Sequence, residues 1–201
     1  MSRIEELFRS GETVRVNLVP NNPEFCLRQP QIVEMYTLAF ENFPWYESLT
    51  PEEVRHRVQV DVEKPGFRAF VATKEGKVVG AHWSDTPTLA QLTAQRGSQL
   101  GRFIGNNFPQ GLPIVWEREL MVRPGEQGNG IGTALRRNFL NYLGTQYRGG
   151  ALVVTRMRDD NAPTLITASR CGFLDTTIRI PSSQNPDIAH GYYVKPVNFR
   201  L

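Results

Sequence analysis

The 201-residue sequence predicts a single domain of mixed α/β (α+β) class, with a largely antiparallel central sheet flanked by helices. Three observations predict it. Short runs with the two-residue alternation of strands are interleaved with longer runs whose apolar residues return every three or four positions, as on one face of a helix. Glycine and proline mark the junctions. The order of the runs is strand, two helices, three strands, helix, strand, helix and two strands, with one tight turn at Lys74-Glu75-Gly76 joining neighbouring strands directly.

Thr13 to Val19 alternates Val14, Val16 and Leu18 with Arg15 and Asn17, the pattern of a half-buried strand, and Pro20 ends it. From Gln31 to Phe43, the residues Ile32, Met35, Tyr36, Ala39, Phe40 and Phe43 share one helical face. Thr50-Pro51-Glu52-Glu53 supplies a capping hydroxyl, a proline at the first helical position and a carboxylate three residues after the cap, so a second helix starts near Pro51. Phe67 to Thr73 and Lys77 to Trp83 read as a hairpin. Leu89, Leu92, Leu100, Phe103 and Ile104 predict one helix between Ser84 and Pro113, broken by Gly97 and Gly101. Ile114 to Val122 is a strand, Gly130 to Leu143 an amphipathic helix, Ala151 to Met157 a buried strand, and Asn161 to Arg170 a helix closed at Gly172. Thr176 to Ile180 and Gly191 to Val197 supply two closing strands.

Composition excludes several classes of function. The 23 basic and 20 acidic side chains leave a formal charge of only +3 and are scattered, whereas a nucleic-acid face concentrates Lys and Arg on one element. Cys26 and Cys171 form neither a disulfide framework nor a metal-ligand spacing, so reduced thiols and no metal are expected. Met1 to Ser10 holds no apolar run of signal-peptide length, and no segment approaches the ~20 apolar residues of a membrane span. A cytoplasmic location without membrane partners is the expectation.

The strand ending at Val122 runs through Arg123-Pro124-Gly125-Glu126 into Gln127-Gly128-Asn129-Gly130-Ile131-Gly132-Thr133, and the amphipathic helix begins inside that run. A helix N-terminus presents amides and the positive end of its dipole, and glycines let the backbone close around an anion. The same glycines also suit a turn that is merely tight. A Walker-type loop requires lysine after its last glycine, where Ile131 stands, and a dinucleotide fingerprint requires glycine where Thr133 stands.

The run resembles the acyl-CoA loop of the GNAT superfamily of N-acetyltransferases, whose pattern is Gln or Arg, two residues, Gly, one residue, Gly or Ala. Gln127, Gly130 and Gly132 occupy those places, after the family-like phrase Glu119-Leu120-Met121-Val122-Arg123-Pro124. Asn161, Leu165 and Gly172-Phe173 resemble the family's closing motif, and the order of elements resembles its fold over nearly the whole chain. The resemblance implies acetyl-CoA as co-substrate, with its pantetheine arm along the backbone of Leu120, Met121 and Val122 and its pyrophosphate wrapped by Gln127, Gly128, Asn129, Gly130, Ile131, Gly132 and Thr133. It also implies a pantetheine contact for Asn161, a residue type that equally suits a helix cap.

Acetyl transfer requires an acceptor amine stripped of a proton by a carboxylate, a histidine or a water chain. Glu119 and Glu117 lie two apart on one strand, hence on one face, and periodicity does not separate them. The motif context favours Glu119 as base, against a structural pairing with an arginine such as Arg118 or Arg136. Where many members of the family carry a tyrosine that protonates the leaving thiolate, this sequence has Ala168; Tyr192 and Tyr193 are the alternatives named by position. His82 and Trp83 close the hairpin near the acceptor side, and Phe43-Pro44-Trp45-Tyr46 either lines an acceptor pocket or staples two helices. The 86–112 insertion folds over the acceptor mouth or builds a homodimer contact. The expected acceptor is an amine of a small molecule or peptide, and a non-catalytic acyl-CoA sensor is the competing reading.

Overall fold

The computed structural model describes residues 3–7, 13–19, 22–41, 45–182 and 185–198, with residues 3–7 and 22–24 as backbone only. The chain forms two compact units, Met1–Asp85 with Glu119–Phe139, and Thr86–Arg118 with Leu140–Leu201.

The first unit carries strands β1 (Arg3–Leu7), β2 (Thr13–Val19), β3 (Arg68–Lys74) and β4 (Lys77–Asp85), in that order and antiparallel throughout. Helices α1 (Asn22–Phe40) and α2 (Pro51–Val62) bury Ile32, Met35, Tyr36, Val54, Val58 and Val62 in one cluster with Val71, Ala81 and Trp83. The expected capping box opens α2: the Glu53 amide donates to Thr50 Oγ1 at 3.3 Å and the Thr50 amide to Glu53 Oε2 at 2.8 Å. Two details differ from expectation. β1 precedes the first expected strand, and α1 begins nine residues before Gln31 and runs through Pro30. The expected reach of that helix to Phe43 falls partly outside the described residues.

The second unit holds α3 (Leu89–Arg96) and α4 (Ser98–Asn107), the first part of β5 (Ile114–Val122), β6 (Ala151–Arg158), α6 (Ala162–Arg170), β7 (Leu174–Pro181) and β8 (Ala189–Val197), with strand order β5-β6-β8-β7. β5 pairs with β6 in parallel; β6–β8 and β7–β8 are antiparallel. The broken helix of the insertion is therefore two helices separated at Gly97, and Gly101 lies inside the second. Leu92, Leu100, Ile104 and Phe108 pack with Trp116, Leu152, Val154 and Tyr192, so the insertion is part of this unit's core. Helix α5 (Ile131–Gln146) and β5 each contribute residues to both units. The class is mixed α/β with a mostly antiparallel sheet, as the sequence predicts. Among the described residues no helix is long and apolar enough to cross a membrane.

Candidate active site

Glu119 sits at the point where β5 leaves its parallel partner. The ladder with β6 runs from Ile114 to Glu117, and β5 continues past it to Val122. The two glutamates that periodicity could not separate are separated by this. Glu117 lies within the ladder opposite Thr155 and is 2% exposed, whereas Glu119 is only partly buried and belongs with the first unit.

Around Glu119 the first unit gathers side chains from three further elements. Tyr36 of α1, 3% exposed, donates its hydroxyl to Glu119 Oε1 at 3.3 Å. Its ring stacks on Phe40 at 4.2 Å and lies 6.3 Å from that of Trp83 on β4. Trp83 in turn donates its indole N–H to Asp61 Oδ2 of α2 at 3.1 Å. Arg57 of α2 pairs with Glu47 at 2.9 Å. Burial first, and then the Asp61 carboxylate, hold the Glu119 carboxyl up at about 8, with Glu47 acting in the same direction and Tyr36 and Arg57 against it. Burial, followed by the charge of Glu119, pushes the Tyr36 phenol far above its ordinary range, so it stays protonated and donates. A carboxyl that titrates near neutrality and holds an oriented hydrogen bond is equipped to accept a proton.

The glycine-rich turn is built from the same unit. The Arg123 amide donates to Val79 O at 2.9 Å, Arg123 Nη1 pairs with Glu34 at 2.9 Å, and Lys74 Nζ pairs with Glu126 at 3.0 Å. These contacts fix the chain as it leaves β5. The Gln127 side chain turns back and donates to Val122 O at 3.2 Å. Gly128 and Gly130 take φ of 80° and 84°, left-handed values that a side chain strains. Helix α5 begins at Ile131, and its first bond runs from the Ala134 amide to Gly130 O at 2.9 Å. The amides of Ile131, Gly132 and Thr133 therefore have no carbonyl one turn back within the helix. Gly130 has no side chain with which to cap them, and no acidic residue stands in the first turn.

Gly80 on β4 sets the height of that helix over the strands. A Cβ there would meet Ile131 Cγ2 and Leu135 Cδ1 at 3.0 Å and the Met121 carbonyl at 3.2 Å. Sequence reasoning did not single out Gly80, although an isolated glycine in a strand run is a signal for close backbone approach. Tyr36, Asp61 and Arg57 were missed in roles of their own, yet each lies on or beside a face that helical spacing turns inward. Asp61 falls with Val54, Val58 and Val62 on α2, and Tyr36 with Ile32, Met35 and Phe40 on α1.

Other expected residues have structural partners. Asn161 caps α6, its Oδ1 accepting from the Thr164 amide at 3.3 Å. Asn161→Ala is expected to lower stability by about 1 kcal/mol, a melting shift of roughly 2–4 °C that calorimetry would read; an unchanged midpoint would refute the capping role. Ala168 is buried. The Tyr192 hydroxyl donates to Arg96 O at 3.1 Å, and that of Tyr193 lies 3.5 Å from Arg179. His82 is a core residue, 4.3 Å from the Phe139 ring. Cys171 is buried at the end of α6. Trp45 lies against Phe40 at 5.1 Å while Tyr46 is exposed; Phe43 and Pro44 lie outside the described residues. Among the described residues no group of His, Cys, Asp and Glu is placed to hold a metal ion.

Comparison with known proteins adds three findings. Residues 31–173 match the family described as the acetyltransferase (GNAT) family. A mycothiol acetyltransferase of Amycolatopsis mediterranei (strain U-32) is 28% identical over 172 residues, 84% of this chain and 48% of that protein. One of Rhodococcus opacus (strain B4) is 26% identical over 147 residues, 72% of this chain and 41% of that protein. The chain thus spans about half the length of the curated relatives it matches. Among solved structures, the ribosomal-protein-S18-alanine N-acetyltransferase from Escherichia coli superposes with a TM-score of 0.62 at 15% identity, over 92% of this chain and 96% of that one. An aminoglycoside 6'-N-acetyltransferase complexed with coenzyme A gives 0.63 at 15% identity, over 92% and 98%. At such identity the likeness is one of fold.

Proposed function

Because the chain belongs to the acetyltransferase (GNAT) family, we propose that it transfers the acetyl group of acetyl-CoA to a primary amine of a small molecule or peptide by direct attack, with Glu119 as the base. The observation that carries this reading is the Glu119 carboxyl, held at about 8 and hydrogen-bonded by Tyr36. The backbone of Leu120, Met121 and Val122 serves the pantetheine arm, and the amides of Ile131, Gly132 and Thr133, with the turn Gln127 to Gly130, serve the pyrophosphate. A helix N-terminus with no acidic residue of its own suits that anion.

Glu119 draws one proton, directly or through water, from the acceptor ammonium. The freed nitrogen lone pair then forms the C–N bond at the thioester carbonyl as the C–S bond breaks toward the thiolate, and the second proton of the acylated nitrogen passes through water to that thiolate, giving the amide and free CoA thiol. Tyr192 is committed to Arg96, which argues against it as the acid that protonates the thiolate. The names of solved structures with this fold, which include an aminoglycoside 6'-N-acetyltransferase and a ribosomal-protein-S18-alanine N-acetyltransferase, are consistent with an amine acceptor of either kind. We read the protein as cytoplasmic, metal-free in its chemistry, and acting as a monomer or as a pair of identical chains.

The test is to mix the protein with acetyl-CoA and a panel of aminoglycosides, amino acids and peptides while following free thiol. Acceptor-dependent thiol release supports transfer. Tight CoA binding without turnover across the panel overturns it in favour of a sensor, and no CoA binding overturns both.

A further inference from the structure

A tyrosine on the inner face of a helix fills space as well as a phenylalanine does, but its hydroxyl must find a partner. In α1 the partners are a carboxylate and a guanidinium: Tyr36 Oη lies 3.3 Å from Glu119 Oε1, and Arg57 of α2 hydrogen-bonds to the same hydroxyl. The ring is fixed by its stack on Phe40, with interplanar angle 12°, and by Trp83, so the hydroxyl has little freedom to point elsewhere. Trp83 also holds the other member of the group, donating to Asp61 Oδ2 at 3.1 Å. One indole thus fixes both neighbours of Glu119, a hydrogen-bond donor and a carboxylate of like charge.

We propose that Tyr36 and Asp61 are an opposed pair of positioning residues for Glu119, the tyrosine hydroxyl orienting its carboxylate through a direct hydrogen bond and the aspartate, anchored by Trp83, facing it with a like charge. This rests on the reading of Glu119 as the base. The charged groups facing Glu119 are Asp61 and Arg57 from α2 and Glu47 from the segment before α2, with Tyr36 from α1 as the donor. Arg57 is engaged by Glu47 at 2.9 Å, and Lys64 stands 3.8 Å from Asp61. A donor to a carboxylate lowers its proton affinity and a neighbouring anion raises it, so the two residues act with opposite sign. Catalysis at neutral pH then depends on the difference between them.

The experiment is the pH profile of kcat/KM for the full chain and for Tyr36→Phe, Asp61→Asn and Glu119→Gln, each checked for folding by circular dichroism. The wild-type profile is expected to rise to a plateau through an acid limb near 8. Tyr36→Phe should move that limb up by about one unit, roughly a tenfold loss at pH 7 that disappears on the alkaline plateau. Asp61→Asn should move it down by about one unit, a gain of about fivefold at pH 7. A purely structural role for either residue lowers the plateau and leaves the limb in place. If the limb stays put in both variants, or moves the same way in both, the proposal is overturned. If Tyr36→Phe does not fold, Asp61→Asn decides alone: a downward shift supports the pair and an unmoved limb overturns it. The two readings fail separately, because a limb that persists in an active Glu119→Gln enzyme removes Glu119 as base, whereas its loss there with no movement in the other two removes only the pair.

Discussion

Glu119→Gln is expected to lower kcat/KM by about 10²–10⁴, the range for removing a general base, while leaving the dissociation constant of CoA within about threefold. The side chain keeps its shape and its hydrogen bond with Tyr36 but no longer takes a proton. Stability moves the other way. The Glu119 carboxyl is raised from 4.5 to about 8 in the folded chain, so folding binds a proton between those values. Its contribution to stability is fully present below about 4.5, falls as pH rises through that window, and is gone above about 8. Glutamine cannot ionise and abolishes the slope. The variant is therefore expected to melt higher than the wild type at pH 8.5, by roughly 2–4 °C for each kcal/mol relieved, and the gap should close toward pH 5. Melting curves at both pH values check this. A variant less stable than the wild type at pH 8.5 would sink the account of Glu119 as a carboxyl whose proton is held by its surroundings.

Gly80→Ala is expected to damage stability and cofactor binding together. One methyl group would stand 3.0 Å from Ile131 and Leu135 of α5 and 3.2 Å from the Met121 carbonyl, and the last of these is backbone and cannot swing aside. Overpacking of this kind costs about 1–3 kcal/mol, a loss of several degrees in melting temperature. Because Ile131 is the first residue of α5, relief of the clash lifts the amides of Ile131, Gly132 and Thr133 away from β4. KM for acetyl-CoA should rise at least severalfold while kcat changes less, the split that separates a cofactor-side defect from a defect at Glu119. Equal KM values for variant and wild type would show that the helix start does not depend on this contact.

What could be read from the residues depended on whether the signal was local. The Thr50 capping box, the hairpin at Gly76 and the start of α5 rest on residues within one turn of each other, and all appear as expected. β1 reads Arg-Ile-Glu-Glu-Leu, too charged to announce a strand, and it exists by pairing with β2. The first half of α1 was hidden by Pro23 and Pro30, because proline reads as a helix boundary. At the site, the turn was legible because its glycines, Gly128, Gly130 and Gly132, lie within five residues of one another. The different surroundings of Glu117 and Glu119 were not, since they follow from where the β5–β6 ladder ends, a property of two strands. Tyr36 was visible only as a member of an apolar face, and nothing local in the sequence marked Asp61. Their meeting around Glu119 required three elements to be placed.

The glycine that opens α5 also ties folding to supply. Most helices close their first turn with a side chain of their own, but Gly130 has none. On the reading proposed above, the cap comes from outside, as a pyrophosphate, and the folded state is the form that binds it. Mass action then adds about 2.7 kcal/mol at a hundredfold excess of ligand over its dissociation constant. Acetyl-CoA would in that sense be a folding reagent as well as an acyl donor, and the lifetime of the protein would rise and fall with the concentration of the molecule it consumes.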